Sequence, residues 1–338
     1  MKTKKTVTVC VSLVILLLGT IIGSVDVPPL SVLYIIGHNI LGLSLPEYIP
    51  QAHVAITWNL RLPRVLLAFI AGAALSASGA VMQSVLRNPL ASSYTLGVSS
   101  GASLGASLVI FLGITLPFLP MLTLPILGFM FGLGAILLVI AVAKQLDFRM
   151  ENHTIILTGM VLALFINAVT TLLFALFQEG TQRMVFWQMG SFSMRDWHTV
   201  YILAPVTLFG IFFISCYKWE LDLMTFGEEQ AQAIGVNIKQ VKLTLLIVAA
   251  ALTGSTIAFV GIIGFVDLVA PHIVRKIFGA SHRHVIPMSA IVGGAFMVLS
   301  DLLARTITSP AELPVGAVTA ILGAPFFAYI YFRESPKI

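Results

Sequence analysis

Residues 119–143 read LPMLTLPILGFMFGLGAILLVIAVA, a stretch without one charged side chain. As a helix it is long enough to cross the roughly 30 Å of bilayer hydrocarbon, which takes about 20 apolar residues. A single such stretch could be a buried core helix, so recurrence decides. Working outward, further apolar runs fall at 6–25, 63–84, 93–112, 153–177, 199–217, 241–262, 264–278, 285–304 and 314–332. The run at 264–278 is short, and its boundary with the preceding run is the least defined. Strands of a membrane barrel would alternate in segments of about 10 residues, and no such alternation occurs. The sequence therefore predicts an all-α polytopic membrane protein of about ten spans, a single membrane domain over 1–338.

Composition agrees. Hydrophobic residues make up 58% of the chain and charged residues 10%, against about 25% charged in soluble domains. The net charge of +5 is dealt out loop by loop, which argues against a nucleic-acid surface. With the N-terminus cytoplasmic, the inner ends hold Lys2, Lys4, Lys5, Arg87, Lys144, Arg149, Lys218, Lys239, Lys242, Arg275, Lys276, Arg283, Arg333 and Lys337. The outer ends hold only Arg61, Arg64, Arg183, Arg195 and Arg305. Positive residues collect on the cytoplasmic side, so both termini are expected there, in the cell membrane of a bacterium. Lys2, Lys4 and Lys5 before an apolar run also fit a signal peptide, but no convincing small-x-small cleavage site follows, and the segment is read as a retained span. Cys10 and Cys216 sit far apart in apolar runs and are read as packing residues, with neither disulfide nor metal site.

Between spans, residues 25–58 hold Pro28, Pro29, Pro46 and Pro50 and are expected outside, against the membrane surface or over the helices. Residues 178–198 are expected to form a short interfacial helix. Gly97, Gly101 and Gly105, with Gly128 and Gly132, set up GxxxG steps at which helices approach closely, either within one subunit or at a dimer seam.

The loop from Lys218 to Lys242 carries the most functional information. Thr225-Phe-Gly-Glu228 has the form of a capping box, predicting a helix from Phe226 to Ile234. Gly235 suits the left-handed position that ends it, and Asn237 can cap the helix that follows. A short helix, a sharp turn and a second helix, at about 224–240, have no chemistry of their own and suit mechanical contact with a partner or a purely structural connection.

Glu229-Gln-Ala-Gln-Ala-Ile-Gly235 resembles the Glu-Ala-Ala-x-x-x-Gly coupling segment of ABC importer permeases, with Gln230 replacing the first alanine and the later Ile/Leu-Pro missing. Arg61-Leu-Pro-Arg64, Gly72-Ala-Ala-Leu-Ser-Ala-Ser-Gly79, Met82-Gln83, Asn88-Pro-Leu-Ala91, Leu96-Gly-Val-Ser-Ser-Gly101, Gly264-Phe-Val-Asp-Leu-Val-Ala-Pro-His272, Asp301-Leu-Leu-Ala-Arg305 and Glu312-Leu-Pro-Val-Gly316 extend the match over about 58–332. In these motifs the chain is similar to the FecCD-like permeases of type II ABC importers, which carry iron-siderophores, haem and cobalamin.

The resemblance implies a second permease subunit, identical or a paralogue, two ATP-binding subunits below and an extracytoplasmic solute-binding protein above. ATP and Mg would be held by the partner ATPase, because no Gly-x-x-x-x-Gly-Lys-Ser/Thr loop occurs here and this chain is expected to be a transport subunit without catalytic residues or cofactors. Residue by residue, it puts Arg61, Arg64 and Arg305 at the docking face for the binding protein, or at headgroups as anchors. Glu228, Glu229, Ala231, Ala233 and Gly235 become the ATPase-coupling residues. Asn88, Leu90, Asn152 and His153 become the cytoplasmic gate, the last pair departing from the small hydroxyl residues of the relative.

Polar groups inside spans are costly and mark function. Asn167, Thr170, Thr171 and Asp267 are the pathway candidates, although threonine also satisfies its own helix and Asp267 could lie in water at the outer end of its span. His272 and Asp301 are expected to brace helices. An ion-coupled secondary transporter is the competing class, and it would bury more coupling charges near the midplane. Ferric siderophore is the first substrate expected, then haem, then cobalamin.

Overall fold

The computed structural model describes residues 1–334, with side chains described through Tyr329; Arg333 and Lys337 of the charge argument lie outside the described side chains. Every one of the ten apolar runs becomes a helix: α1 (Lys2–Ile21), α4 (Leu62–Val85), α5 (Val98–Leu112), α6 (Thr123–Leu146), α7 (Asn152–Leu176), α9 (Trp197–Cys216), α12 (Ile238–Val260), α13 (Val266–Phe278), α14 (His282–Thr306) and α15 (Val315–Glu334). Between them stand α2 (Pro29–Leu41), α3 (Gln51–Ala55), α8 (Thr181–Gln188), α10 (Lys218–Thr225) and α11 (Glu228–Ala233). Among the described residues, seven of the helical stretches are long and apolar enough to cross a membrane. Residues 25–58 contain α2 and α3, and a short helix does form within 178–198 as α8.

Helix α4 is the hub, packed against α1, α9, α12, α13 and α14. Its entry is a π-helical turn over Ile56–Arg61, placed just ahead of Pro63. Proline has no N–H to return to the preceding turn and its ring crowds that turn's carbonyl, so the register widens there. Small residues then let backbones meet. A Cβ on Gly72 would collide with the Gly293 carbonyl of α14, and one on Gly101 with the Phe131 carbonyl of α6. The GxxxG steps of α5 and α6 therefore pack inside this subunit.

Two apolar cores fill the two ends of the bundle. One gathers Leu67, Leu75, Phe192, Leu203, Met297 and Val315. The other gathers Met82, Leu86, Ile136, Met150, Leu221 and Ala231, and so ties α10 and α11 to the bundle. Side chains on one face of α7, among them Val161, Leu164, Phe165 and Leu172, are exposed.

Three local expectations need correction. Thr225 does not cap α11: it closes α10, its hydroxyl donating to the Asp222 carbonyl at 2.6 Å. The α11 helix starts instead at Glu228 behind Gly227, whose φ of 134° no other residue adopts cheaply. The capping-box reading missed α10, which is helical because Leu221 and Met224 bury against the core. The run at 93–112 is helical only from Val98, since Ser92, Ser93 and Thr95 spend their hydrogen bonds elsewhere. Cys10 and Cys216 are exposed rather than packed. Asn237 does cap α12, its side chain accepting from the Gln240 N–H at 3.2 Å, and Gly235 has a φ of +99°.

Candidate functional site

At the end where α4 begins, the three arginines singled out from the sequence meet around a cavity of about 530 Å³. Arg64 Nε and Nη2 donate to Asp301 Oδ1 at 3.0 and 2.8 Å, and Nη1 donates to Glu312 Oε1 at 2.7 Å. Arg305 donates to the Gly19 carbonyl, and its Nε lies 3.4 Å from Asp301 Oδ2. Arg61 Nη1 donates to the Ile21 carbonyl at 2.7 Å and Nη2 to the Val25 carbonyl. These guanidiniums thus satisfy the carbonyls that the end of α1 leaves open. Arg61 and Arg305 are buried, Arg64 is 12% exposed, and all three are engaged by groups of their own chain. Arg195, exposed Met194 and Asp196 complete the cavity rim. Burial pushes the Glu312 carboxyl up, but the Arg64 hydrogen bond and charge outweigh it and hold it below the usual glutamate range.

The middle of the bundle holds a polar seam where α5 and α13 start from unwound backbone. Ser78 Oγ lies 2.9 Å from Ser93 Oγ and 2.7 Å from Thr253 Oγ1, and it donates to the Ala249 carbonyl at 2.8 Å. Tyr94 Oη donates to the Ile263 carbonyl at 2.5 Å. Irregular backbone is tolerated at membrane depth only when buried in protein like this. Asp267 lies at the start of α13, 3% exposed, against Gly79 and Gln83 of α4. Gly79 and Gln83 belong to the last third of α4, so Asp267 is deep in the bundle and away from the arginine end. Asn167 and Thr171 share the exposed face of α7, while Thr170 is buried; both threonine hydroxyls donate to their own helix, at 2.9 Å to Asn167 and 3.0 Å to Ile166.

The opposite end of the bundle brings two sets of predicted residues together. A cavity of about 590 Å³ is lined by Asn88, Asn152 and His153 of the expected gate and by Glu228 of the expected coupling segment. Leu90 is exposed beside it, its N–H donating to Asn88 Oδ1 at 2.9 Å. Asn152 Nδ2 donates to Glu228 Oε1 at 3.2 Å, and Glu228 Oε2 pairs with Lys242 Nζ at 2.8 Å. Of the remaining coupling candidates, Ala231 is fully buried, and Glu229, Ala233 and Gly235 are exposed. Phe226 and Ile234 project beside them, 78% and 68% exposed. The α10 helix is anchored separately: Asp222 Oδ1 accepts from the His282 N–H at 2.8 Å and lies 2.6 Å from His282 Nδ1.

Sequence reasoning missed Lys242, Asp222, His282 and Arg275. A signal for Lys242 was present, because it shares the apolar face of Val241, Leu245, Leu246 and Ala249 at helical spacing.

Residues 11–333 match the FecCD transport family. The chain belongs to that family. Among FecCD-related proteins, an uncharacterized ABC transporter permease of Bacillus subtilis is 43% identical over 319 residues, covering 94% of this chain and 90% of the relative. The Fe(3+)-citrate import system permease YfmE of the same organism is 37% identical, covering 88% of this chain and 86% of the relative. A solved structure of a metal-chelate type ABC transporter in an inward-facing conformation shares 31% identity at a TM-score of 0.78, covering 90% of this chain and 97% of that one. The FecCD fold of this chain is accordingly that of a type II ABC importer permease, an all-α transmembrane transport subunit. Among the described residues, no group of three or more His, Cys, Asp and Glu side chains is placed to hold a metal ion.

Proposed function

We propose that this chain is the permease subunit of an ATP-driven importer that carries a ferric chelate inward across the cytoplasmic membrane, a ferric siderophore first and haem next. Cobalamin is the alternative cargo. The observation that carries the reading is the far end of the bundle, where Phe226 and Ile234, flanking α11, are exposed to a partner while Glu228, the first residue of α11, lines the cavity of Asn88, Asn152 and His153. A partner that moves α11 therefore acts on that cavity.

The rest of the assembly follows from this polarity. That end is cytoplasmic, both termini lie there, and two ATP-binding subunits that bind ATP and Mg sit against α10 and α11. The arginine cavity faces outward and receives the solute-binding protein. The exposed face of α7, with Asn167 and Thr171 four residues apart, meets a second permease subunit across the pathway. Polar groups on that face would be costly against lipid, which favours a covered or water-lined surface. That second subunit is another copy of this chain or a paralogue. Purified complex in liposomes, given ATP inside and binding protein outside, should take up one of ferric siderophore, haem or cobalamin. Uptake of none of them, or uptake without ATP, would overturn the reading.

A further inference from the structure

Three chain segments converge on one carboxylate. Glu228 opens α11, Asn152 opens α7, and Lys242 lies in the first turns of α12. The carboxylate accepts from the Asn152 amide with one oxygen and holds the Lys242 ammonium with the other. Lys242 is 1% exposed, and its second contact is the buried Met150 carbonyl at 3.3 Å. The Glu228 side chain is 30% exposed.

A buried ion pair is weak evidence for a stabilising purpose, because apolar residues of similar volume commonly do as well or better. A charged link instead defines which atoms must move together. Among the described residues Glu228 is the carboxylate paired with Lys242, so the ammonium loses that partner if α11 leaves, and Lys242 obliges α12 to follow the carboxylate. The amide is bound less tightly. Asn152 Oδ1 is buried without a hydrogen-bond partner, so the amide has an unused acceptor and a single bond to exchange. One end of the link is firm and the other is releasable.

We propose that Glu228 is the positioning residue that transmits movement of α11 to the cavity wall at Asn152, with Lys242 as the buried pivot. This rests on the importer reading above. Displacement of α11 by the ATPase pulls the carboxylate against Lys242 and makes or breaks its bond to Asn152. The cavity that contains Asn88 and His153 then opens or closes.

The test uses the complete complex with Cys10 and Cys216 replaced by serine and a single reporter, His153→Cys, on the cavity wall. The probe is a maleimide, so no transported ligand is needed. Its reaction rate is compared between the nucleotide-free state and the state trapped with ATP and vanadate. In the otherwise unchanged chain the two rates should differ several-fold. In Glu228→Gln with Lys242→Met, which leaves no buried charge unpaired, the complex should assemble and hydrolyse ATP while the two rates become equal. Asn152→Ala keeps the ion pair, and so the fold, and should shrink the difference as well. A double variant and an Asn152→Ala variant that both keep the full nucleotide dependence would overturn the inference and leave the link as a brace. If the parent complex shows neither nucleotide-dependent labelling nor ATP-driven uptake, the importer reading itself fails and the inference with it.

Discussion

Arg64 holds Asp301 by two nitrogens, Nε at 3.0 Å and Nη2 at 2.8 Å from the same carboxylate oxygen, and so fastens the start of α4 to the last turns of α14. Asp301 is 1% exposed and also faces Arg305 one turn along. The sequence places Arg64 and Asp301 in separate motifs 237 residues apart. In the structure they form one charged knot, with Arg305 continuing it to α1 through the Gly19 carbonyl.

Breaking this knot from the acidic side should be severe. Asp301→Asn leaves two buried guanidiniums short of a counter-charge, and removing one partner of a buried pair costs about 3–5 kcal/mol. Thermal unfolding of the purified protein in detergent should show a large loss, and an unchanged midpoint would refute the structural role. The Glu312 contact adds a pH dependence. Its folded-state pKa is depressed, so its contribution is present above the unfolded value of about 4.3 and fades as pH falls through the folded value. Glu312→Gln should flatten the acid limb of the stability profile.

A second prediction separates close packing from helix propensity. A Cβ at Gly72 meets the Gly293 carbonyl and, at 2.7 Å, the Met297 Cβ, neither of which can swing away. Gly72→Ala should therefore destabilise by about 1–3 kcal/mol, the range for overpacking. Gly134 in α6 has nothing within 4 Å of an added Cβ. Gly134→Ala should be neutral, or stabilising by about 0.5–1 kcal/mol through helix propensity. Equal midpoints for the two variants would contradict the close approach of α4 and α14.

What the sequence showed and what it hid divide along one physical line. Features that depend on local chemistry were legible: the long apolar α6, the Asn237 cap, the left-handed Gly235. Features settled by distant partners were not. Ser93 and Thr95 read as part of a span, yet Ser93 is taken up by Ser78 and Thr253 and Thr95 by the Ser92 carbonyl, and α5 begins only at Val98. Thr225 and Glu228 have the right spacing for a cap, yet Glu228 is drawn to Lys242 across more than three turns of intervening chain. The gate and coupling residues were named from the sequence as separate groups, and only the fold shows that Glu228 of one lines a cavity with Asn88, Asn152 and His153 of the other.

Gly235 offers a test of the coupling segment that does not disturb the ion pair. Its φ of +99° is strained for any other residue, while an added Cβ would meet nothing within 4 Å. Gly235→Val should therefore act through backbone strain alone, of order 1–3 kcal/mol, confined to the turn between α11 and α12. The protein should insert and remain folded, with transport reduced and the stimulation of ATP hydrolysis impaired. Normal transport with normal stimulation would show that the shape of this turn does not matter to coupling.

The arginines proposed to meet the binding protein are already engaged within their own chain. Around the cavity stand Arg61, Arg64, Arg195 and Arg305, with Asp196, Glu312 and the buried Asp301 opposing them and Asp26 beside Arg61. The site is close to electrically balanced. Reversing Arg61 and Arg64 to glutamate would break the internal contacts first, so a loss of docking in that variant would follow from damaged structure. Glu312→Gln is the cleaner probe. Glu312 is 38% exposed and its removal leaves the Arg64–Asp301 pair in place. Neutralising it tips the rim to net positive and frees one side of the Arg64 fork, which is shaped to bind a carboxylate by two parallel hydrogen bonds. An exposed pair contributes about 0–1 kcal/mol, so an acidic docking partner should bind up to about fivefold more tightly. The gain should be largest at low ionic strength, since screening acts beyond about 8 Å at physiological salt. Binding-protein affinity for the reconstituted complex, measured at low and high salt for both forms, decides it. Identical affinities in all four measurements would remove the docking role and leave the arginines as the clamp that joins α1, α4 and α14.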